Sequence, residues 1–121
     1  MKKILVVDDD PDLQKLYSEK LTTSGYQVLL APDVTQGLYL AQNEKPDLIL
    51  LDIMLPQGPN GFDLYEQLQK DDALKDIPVI MLTNLDSEKE TAEQMGITDY
   101  IIKADNTPGQ LVKRIEQKIG K

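Results

Sequence analysis

Residues 4–11 read Ile4-Leu5-Val6-Val7-Asp8-Asp9-Asp10-Pro11, and that order decides the fold. Four consecutive apolar residues leave no polar face, so the stretch reads as a strand buried on both sides, as in a parallel sheet. The chain then turns acidic, and Asp10-Pro11 has the form of an N-cap followed by proline at the first helical position. Strand, acidic loop and helix make one βα unit. Four more apolar runs come later, at Val28–Ala31, Leu48–Leu51, Val79–Leu82 and Tyr100–Ile102. The segments between them have helical spacing. Leu13, Leu16, Tyr17 and Leu21 form one apolar stripe, and Leu111, Val112, Ile115 and Ile119 another. Asp33 with Gln36, and Ser87 with Glu90, stand at or close to capping-box spacing. Gly25 and Gly96 fall where helices end. Five βα units with right-handed crossovers predict an α/β three-layer sandwich. No linker or repeat interrupts the pattern, so residues 1–121 read as one domain, with Gln57–Gly61 as a loop inside it.

Composition removes whole classes of function. The 121 residues carry 13 Lys plus Arg against 21 Asp plus Glu, a net charge of −8. Such a chain lacks the basic surface that nonspecific nucleic-acid binding or docking on an anionic membrane requires. It has no cysteine and no histidine. Disulfides, thiolate metal sites, thiol catalysis, Ser-His-Asp chemistry and a phosphohistidine on this chain are therefore excluded. A metal would be held by oxygen alone, which favours a hard cation such as Mg²⁺. No apolar run is long enough to span a bilayer. Met1-Lys2-Lys3 is followed only by Ile4–Val7 before the aspartates, too short for a signal peptide. The expected location is the cytoplasm, in soluble form.

The residues just past each strand are the informative ones. Strand 1 ends in Asp8-Asp9-Asp10, strand 3 in Asp52, strand 4 in Thr83-Asn84 and strand 5 in Lys103. In an open parallel sheet these ends share one edge, and ligands bind there where the strand order reverses. With order 2-1-3-4-5, the flavodoxin-like arrangement, that point lies between strands 1 and 3, the two that carry the aspartates. Asp10 and Asp12 fit the plain role of helix capping and first-turn charge. Asp8 and Asp9 are not explained that way, because two adjacent carboxylates beside a third repel one another unless a cation sits among them.

These residues suit phosphoryl transfer. Asp52 is placed as a nucleophile that forms an aspartyl phosphate. Mg²⁺, with Mn²⁺ as a substitute, would be held by Asp9, Asp52 and, through water, Asp8, with the Met54 backbone carbonyl completing the protein ligands. Lys103 would neutralise one phosphoryl oxygen and the Thr83 hydroxyl would donate to another. Apolar Met54 and Leu85 flank the expected phosphoryl position and should hinder an attacking water.

Over its whole length the chain resembles the receiver domains of bacterial two-component response regulators, in outline the single-domain chemotaxis regulator. Val6-Val7-Asp8-Asp9 resembles the family's acidic pair. Leu50-Leu51-Asp52-Ile53-Met54-Leu55-Pro56 resembles its phosphoacceptor motif, and Gly61-Phe62-Asp63-Leu64 the start of its third helix. Met81-Leu82-Thr83, Tyr100 and Lys103 match the switch hydroxyl, the switch aromatic and the lysine after strand 5. The resemblance implies that Thr83 and Tyr100 form a switch that remodels the face of helix 4, strand 5 and helix 5. It implies a phosphodonor that is a histidine kinase or histidine phosphotransfer protein, an unidentified downstream protein or effector domain, and a monomer or phosphorylation-dependent dimer. Two departures stand out. Ala104 replaces the usual proline after the lysine, which predicts a trans bond there. The loop Pro56–Gly61 is one residue longer than the common pattern.

Two other readings remain on the sequence alone. A phosphohydrolase with an aspartyl-phosphate intermediate usually needs a second aspartate two residues after the nucleophile, where this chain has Met54. A pseudo-receiver that only binds partners would not need the complete set Asp8, Asp9, Asp52, Thr83 and Lys103.

Overall fold

The computed structural model describes residues 1–53, 60–83, 86–97, 99–103 and 107–120, the side chains of 86–89 excepted. Ten elements alternate strictly: β1 (Lys3–Val7), α1 (Pro11–Thr23), β2 (Gln27–Ala31), α2 (Val34–Glu44), β3 (Leu48–Asp52), α3 (Gly61–Lys70), β4 (Val79–Thr83), α4 (Asp86–Gln94), β5 (Tyr100–Ile102) and α5 (Pro108–Ile119). The strands form one sheet in the order β2-β1-β3-β4-β5, and every pairing is parallel. The expected three-layer α/β sandwich is the observed one.

Alternation along each strand divides the apolar residues between two cores. Ile4, Val6, Leu48, Leu50, Ile80, Leu82 and Ile101 pack against Tyr17 and Leu21 of α1 and Leu111, Val112 and Ile115 of α5. Leu5, Val7, Ile49, Leu51 and Met81 face the other way, toward Val34 and Ala41 of α2, Leu64 and Leu68 of α3, and Ala92 of α4. The central strand β3 is buried along its whole length, whereas β2 at the sheet edge is half exposed. Continuous apolar runs are what a strand covered on both faces requires.

The caps explain the boundaries. The Asp10 carboxylate accepts from the backbone N–H groups of Asp12 and Leu13, and Pro11 opens α1. Asp33 accepts from the Gln36 N–H. Full capping boxes start α3, through Asn60 and Asp63, and α5, through Thr107 and Gln110. Gly25 and Gly96 have φ of 99° and 83°, the left-handed conformation that ends a helix and that glycine adopts without steric cost.

Two expectations need correction. Helix α4 begins at Asp86, so Ser87 lies inside its first turn and is not its cap. Leu16 was placed on the apolar stripe of α1 but is 45% exposed. Tyr17 and Leu21 turn into the core, and Leu16, one residue from Tyr17, is rotated about 100° away from it.

Lys45, at the end of α2, carries a left-handed φ of 44° although it has a side chain, and Pro46 comes directly after it. Because Lys45 is exposed, glycine at this position would lose little packing. Lys45→Gly is expected to raise the unfolding free energy by about 0.5–1 kcal/mol. A urea titration checks this, and an unchanged or lower midpoint would count against stored strain at Lys45.

Candidate functional site

The carboxyl edge of the sheet opens between β1 and β3, because α1 leaves toward one face and α3 toward the other. Asp8 sits one residue beyond β1 and is completely buried. Its Oδ1 accepts from the Asp10 backbone N–H at 3.0 Å, and its Oδ2 accepts from Lys103 Nζ at 3.2 Å. Asp52 is the last residue of β3 and only 3% exposed. Its Oδ2 accepts from the same ammonium at 2.9 Å. Lys103 is the first residue past β5, so its four-carbon stem carries the charge past the end of β4 to reach β3 and β1. Asp9 is exposed at the rim, and one carboxylate oxygen each from Asp8, Asp9 and Asp52 lies within 4.8 Å of the others.

The charges do not balance. Three carboxylates face one ammonium, leaving two negative charges that a single divalent cation would neutralise. Burial alone would push the Lys103 ammonium down. The hydrogen bond to Asp52 and the charges of Asp52 and Asp8 outweigh that effect, and its pKa is raised above the ordinary lysine value. Tyr17, buried beneath the site, also has a raised pKa. Burial is the main cause, and the charges of Asp8, Asp52 and Asp10 add to it against the opposing Lys103.

Both groups hold their protons more tightly in the folded chain than in the unfolded one. Their stabilisation is therefore fully present below the ordinary values of 10.0 and 10.5 and is lost as pH rises through the higher folded values. Urea titrations are expected to give a stability that declines from about pH 10 upward. A constant midpoint between about pH 9 and about pH 11.5 would contradict this electrostatic picture.

Thr83, the last residue of β4, is fully buried. Leu82 pairs with Asp52, so Thr83 stands one position past Asp52 on the neighbouring strand. Thr83 pairs with Ile102 and Met81 with Tyr100, which puts Thr83 and Tyr100 diagonally on the same face of the sheet. The half-buried Tyr100 donates its hydroxyl proton to Glu93 Oε1 of α4 at 2.8 Å. On the other side of this strand end, Asp99 forms ion pairs with Arg114 and Lys118 of α5. The edge of β5 is thus tied to both α4 and α5.

The structure brings together Asp8, Asp9, Asp52 and Lys103, and the sheet register places Thr83 at the end of the strand beside Asp52. Met54, Leu85 and the loop Ala104–Asn106 lie outside the described residues. Three contributors escaped sequence reasoning. Gln14 donates its side-chain amide to the Asp8 carbonyl, a contact across elements that no periodicity announces. Tyr17 reads only as a core aromatic. Gly61 packs so tightly on β3 that a Cβ would stand 2.3 Å from the Asp52 carbonyl oxygen. A glycine opening a helix straight after an Asn cap was the available signal for that close approach.

The comparisons with known proteins agree with this geometry. A family model described as the response regulator receiver domain matches residues 4–116. The protein PilH of Pseudomonas aeruginosa is 42% identical over 105 residues, covering 85% of this chain and 86% of its own. The DNA-binding dual master transcriptional regulator RpaA of Synechocystis is 41% identical over 105 residues, and this chain spans only 43% of its length. Among solved structures, the BeF₃-activated N-terminal receiver domain of Klebsiella pneumoniae RstA superposes with a TM-score of 0.85 at 33% identity, covering 98% of this chain and 99% of that one. A parallel sheet in the order 2-1-3-4-5, an acidic edge closed by one lysine, and a family match over nearly the whole length lead to one conclusion: the chain belongs to the response regulator receiver domain family of two-component signalling.

Proposed function

We propose that this chain is a signalling switch that takes a phosphoryl group from a phosphohistidine donor onto Asp52 and then changes its partner-binding face. The observation that carries the reading is the placement of Lys103, which pairs with two buried carboxylates while the third, Asp9, stays open at the rim. Such a pocket has a nucleophile, a counter-charge and an entrance.

The donor set fits Mg²⁺. All three side chains offer carboxylate oxygen, the oxygens lie within one coordination sphere's reach of each other, and the residual charge matches a divalent ion. Asp9 and Asp52 would hold the ion, with Asp8 acting through water and the Met54 carbonyl as a further ligand. When bound, Mg²⁺ suppresses the repulsion between the Asp52 carboxylate and the incoming phosphoryl oxygens. A carboxylate oxygen of Asp52 attacks phosphorus, the bond from phosphorus to the donor nitrogen breaks, and the imidazole leaves with its electron pair. Lys103 turns its ammonium to a phosphoryl oxygen as the Asp52 charge is spent. The Thr83 hydroxyl donates to another oxygen, and Tyr100 gives up Glu93 to move inward behind it. The donor is a histidine kinase or histidine phosphotransfer protein, and the reader is a protein or effector domain that recognises α4, β5 and α5. Among the described residues no helix is long and apolar enough to cross a membrane.

Intact mass after incubation with acetyl phosphate and Mg²⁺ tests the reading. One phosphoryl adduct is expected, absent from Asp52→Ala and from samples treated with a chelator. Continuous phosphate release at high turnover would favour a hydrolase, and no adduct at all would favour a pseudo-receiver. Mg²⁺ alone is expected to raise the melting temperature by relieving carboxylate repulsion, an effect that Asp9→Ala should largely remove.

A further inference from the structure

We infer that Gln14 is a positioning residue for the acidic loop, holding the Asp8 backbone so that Asp9 is aimed at the cation. The inference rests on the reading of this pocket as a Mg²⁺-dependent phosphoryl acceptor.

Strand β1 pairs with β2 only as far as Val7 opposite Ala31, and with β3 only as far as Val7 opposite Leu51. Asp8 is the first residue past both ladders. Its N–H still finds the Ala31 carbonyl at 3.0 Å. Its own carbonyl has passed the end of the sheet and must be satisfied by something else, since a buried backbone acceptor without a partner is costly. Gln14, one turn into α1 and half-buried, supplies the donor through Nε2, which also lies 3.4 Å from the Ala31 carbonyl. One side-chain amide therefore ties the ends of β1 and β2 to the helix beyond the loop.

The tie matters because the loop is under electrostatic load. The carboxylates of Asp8, Asp9 and Asp52 crowd within 4.8 Å. Lys103 restrains Asp8 and Asp52, but Asp9 makes no ion pair among the described residues. Repulsion pushes Asp9 outward, and the backbone at Asp8 is what resists it. Asp8 itself is braced by the Asp10 N–H and by Lys103, leaving its main-chain orientation to Ala31 and Gln14. A ligand whose aim depends on a neighbouring hydrogen bond loses affinity when that bond is removed.

Gln14→Met keeps the length and bulk of the side chain and deletes the donor. Leu21→Val, which trims the same helix away from the pocket, serves as the control for general loosening of α1. Mg²⁺ affinity is measured by isothermal titration, and adduct formation with acetyl phosphate by intact mass at limiting and at saturating Mg²⁺. Gln14→Met is expected to weaken Mg²⁺ binding about tenfold. It should slow adduct formation at limiting Mg²⁺ and recover at saturation, while Leu21→Val binds Mg²⁺ like the wild type. Wild-type affinity in Gln14→Met, equal weakening in Leu21→Val, or a deficit that persists at saturating Mg²⁺ overturns the inference alone. A wild type that neither binds Mg²⁺ nor gains the adduct overturns the phosphoacceptor reading, and this inference with it.

Discussion

Lys103→Met is expected to lower the unfolding free energy by about 3 kcal/mol in metal-free buffer. The change removes the only cation that touches Asp8 and Asp52 among the described residues and leaves both carboxylates buried beside Asp9. A buried charge without its partner keeps the full cost of leaving water. That cost is separable from lost packing. Adding Asp52→Asn to Lys103→Met takes away one of the crowded negative charges, so the double variant should be more stable than Lys103→Met alone. Millimolar Mg²⁺ should restore stability to the single variant in part, as a substitute for the missing ammonium. Urea titrations with and without Mg²⁺ give all of these values. Additive losses in the double variant, with no rescue by Mg²⁺, would mean that the ion pairs contribute little. On the proposed role of Lys103 as a charged donor to a phosphoryl oxygen, phosphorylation of Lys103→Met should slow by roughly 10²-fold.

The second large effect comes from one added methyl group. Gly61 opens α3 directly beneath β3, with its N–H donated to the Ile53 carbonyl at 3.0 Å. A Cβ there would stand 2.3 Å from the Asp52 carbonyl oxygen and 2.9 Å from Ile53 Cα. Both are backbone atoms and neither can rotate away. Gly61→Ala must push α3 off β3 or bend β3 at Asp52 itself, and a stability loss of about 3 kcal/mol is expected. The same shift displaces Asp52, so on the proposed reading the rate of adduct formation should fall as well. Gly37→Ala is the instructive contrast. Its Cβ would meet Leu64 Cδ2 and Val7 Cγ2 at 3.1 Å, both ends of side chains that can give, and alanine favours the helix. Gly37→Ala should therefore cost far less than Gly61→Ala. Equal stabilities for the two variants, measured by urea titration, would defeat the argument from backbone contact.

Much of this was legible in the residue order because burial on both faces leaves a plain trace. Ile4–Val7 and Leu48–Leu51 have no polar alternation, and the charged residue that ends each run marks the same edge of the sheet. The sequence alone places Asp8, Asp52 and Lys103 together, since parallel strands align their ends. The features that stayed hidden depend on contact rather than pattern. Leu16 has the spacing of a core residue, but the helix had to be rotated against a real neighbour before its exposure was visible. The hydrogen bonds from Gln14 to Asp8 and from Tyr100 to Glu93 join separate elements and have no local signature. The capping boxes at Asn60 and Thr107 do have one, an acceptor with Asp63 or Gln110 three residues later.

Lys103 and Asp8 meet although 95 positions separate them along the chain. During synthesis, Asp8, Asp9 and Asp52 all emerge well before the strand that delivers their counter-charge. A chain lacking β5 would hold Asp8, Asp9 and Asp52 without the ammonium that pairs with two of them, and on the proposed reading it could not accept a phosphoryl group. Contacts of such long range also form late in folding, because the chain between them must first be ordered. On the proposed reading, competence to receive the phosphoryl group is thus coupled to the arrival of β5.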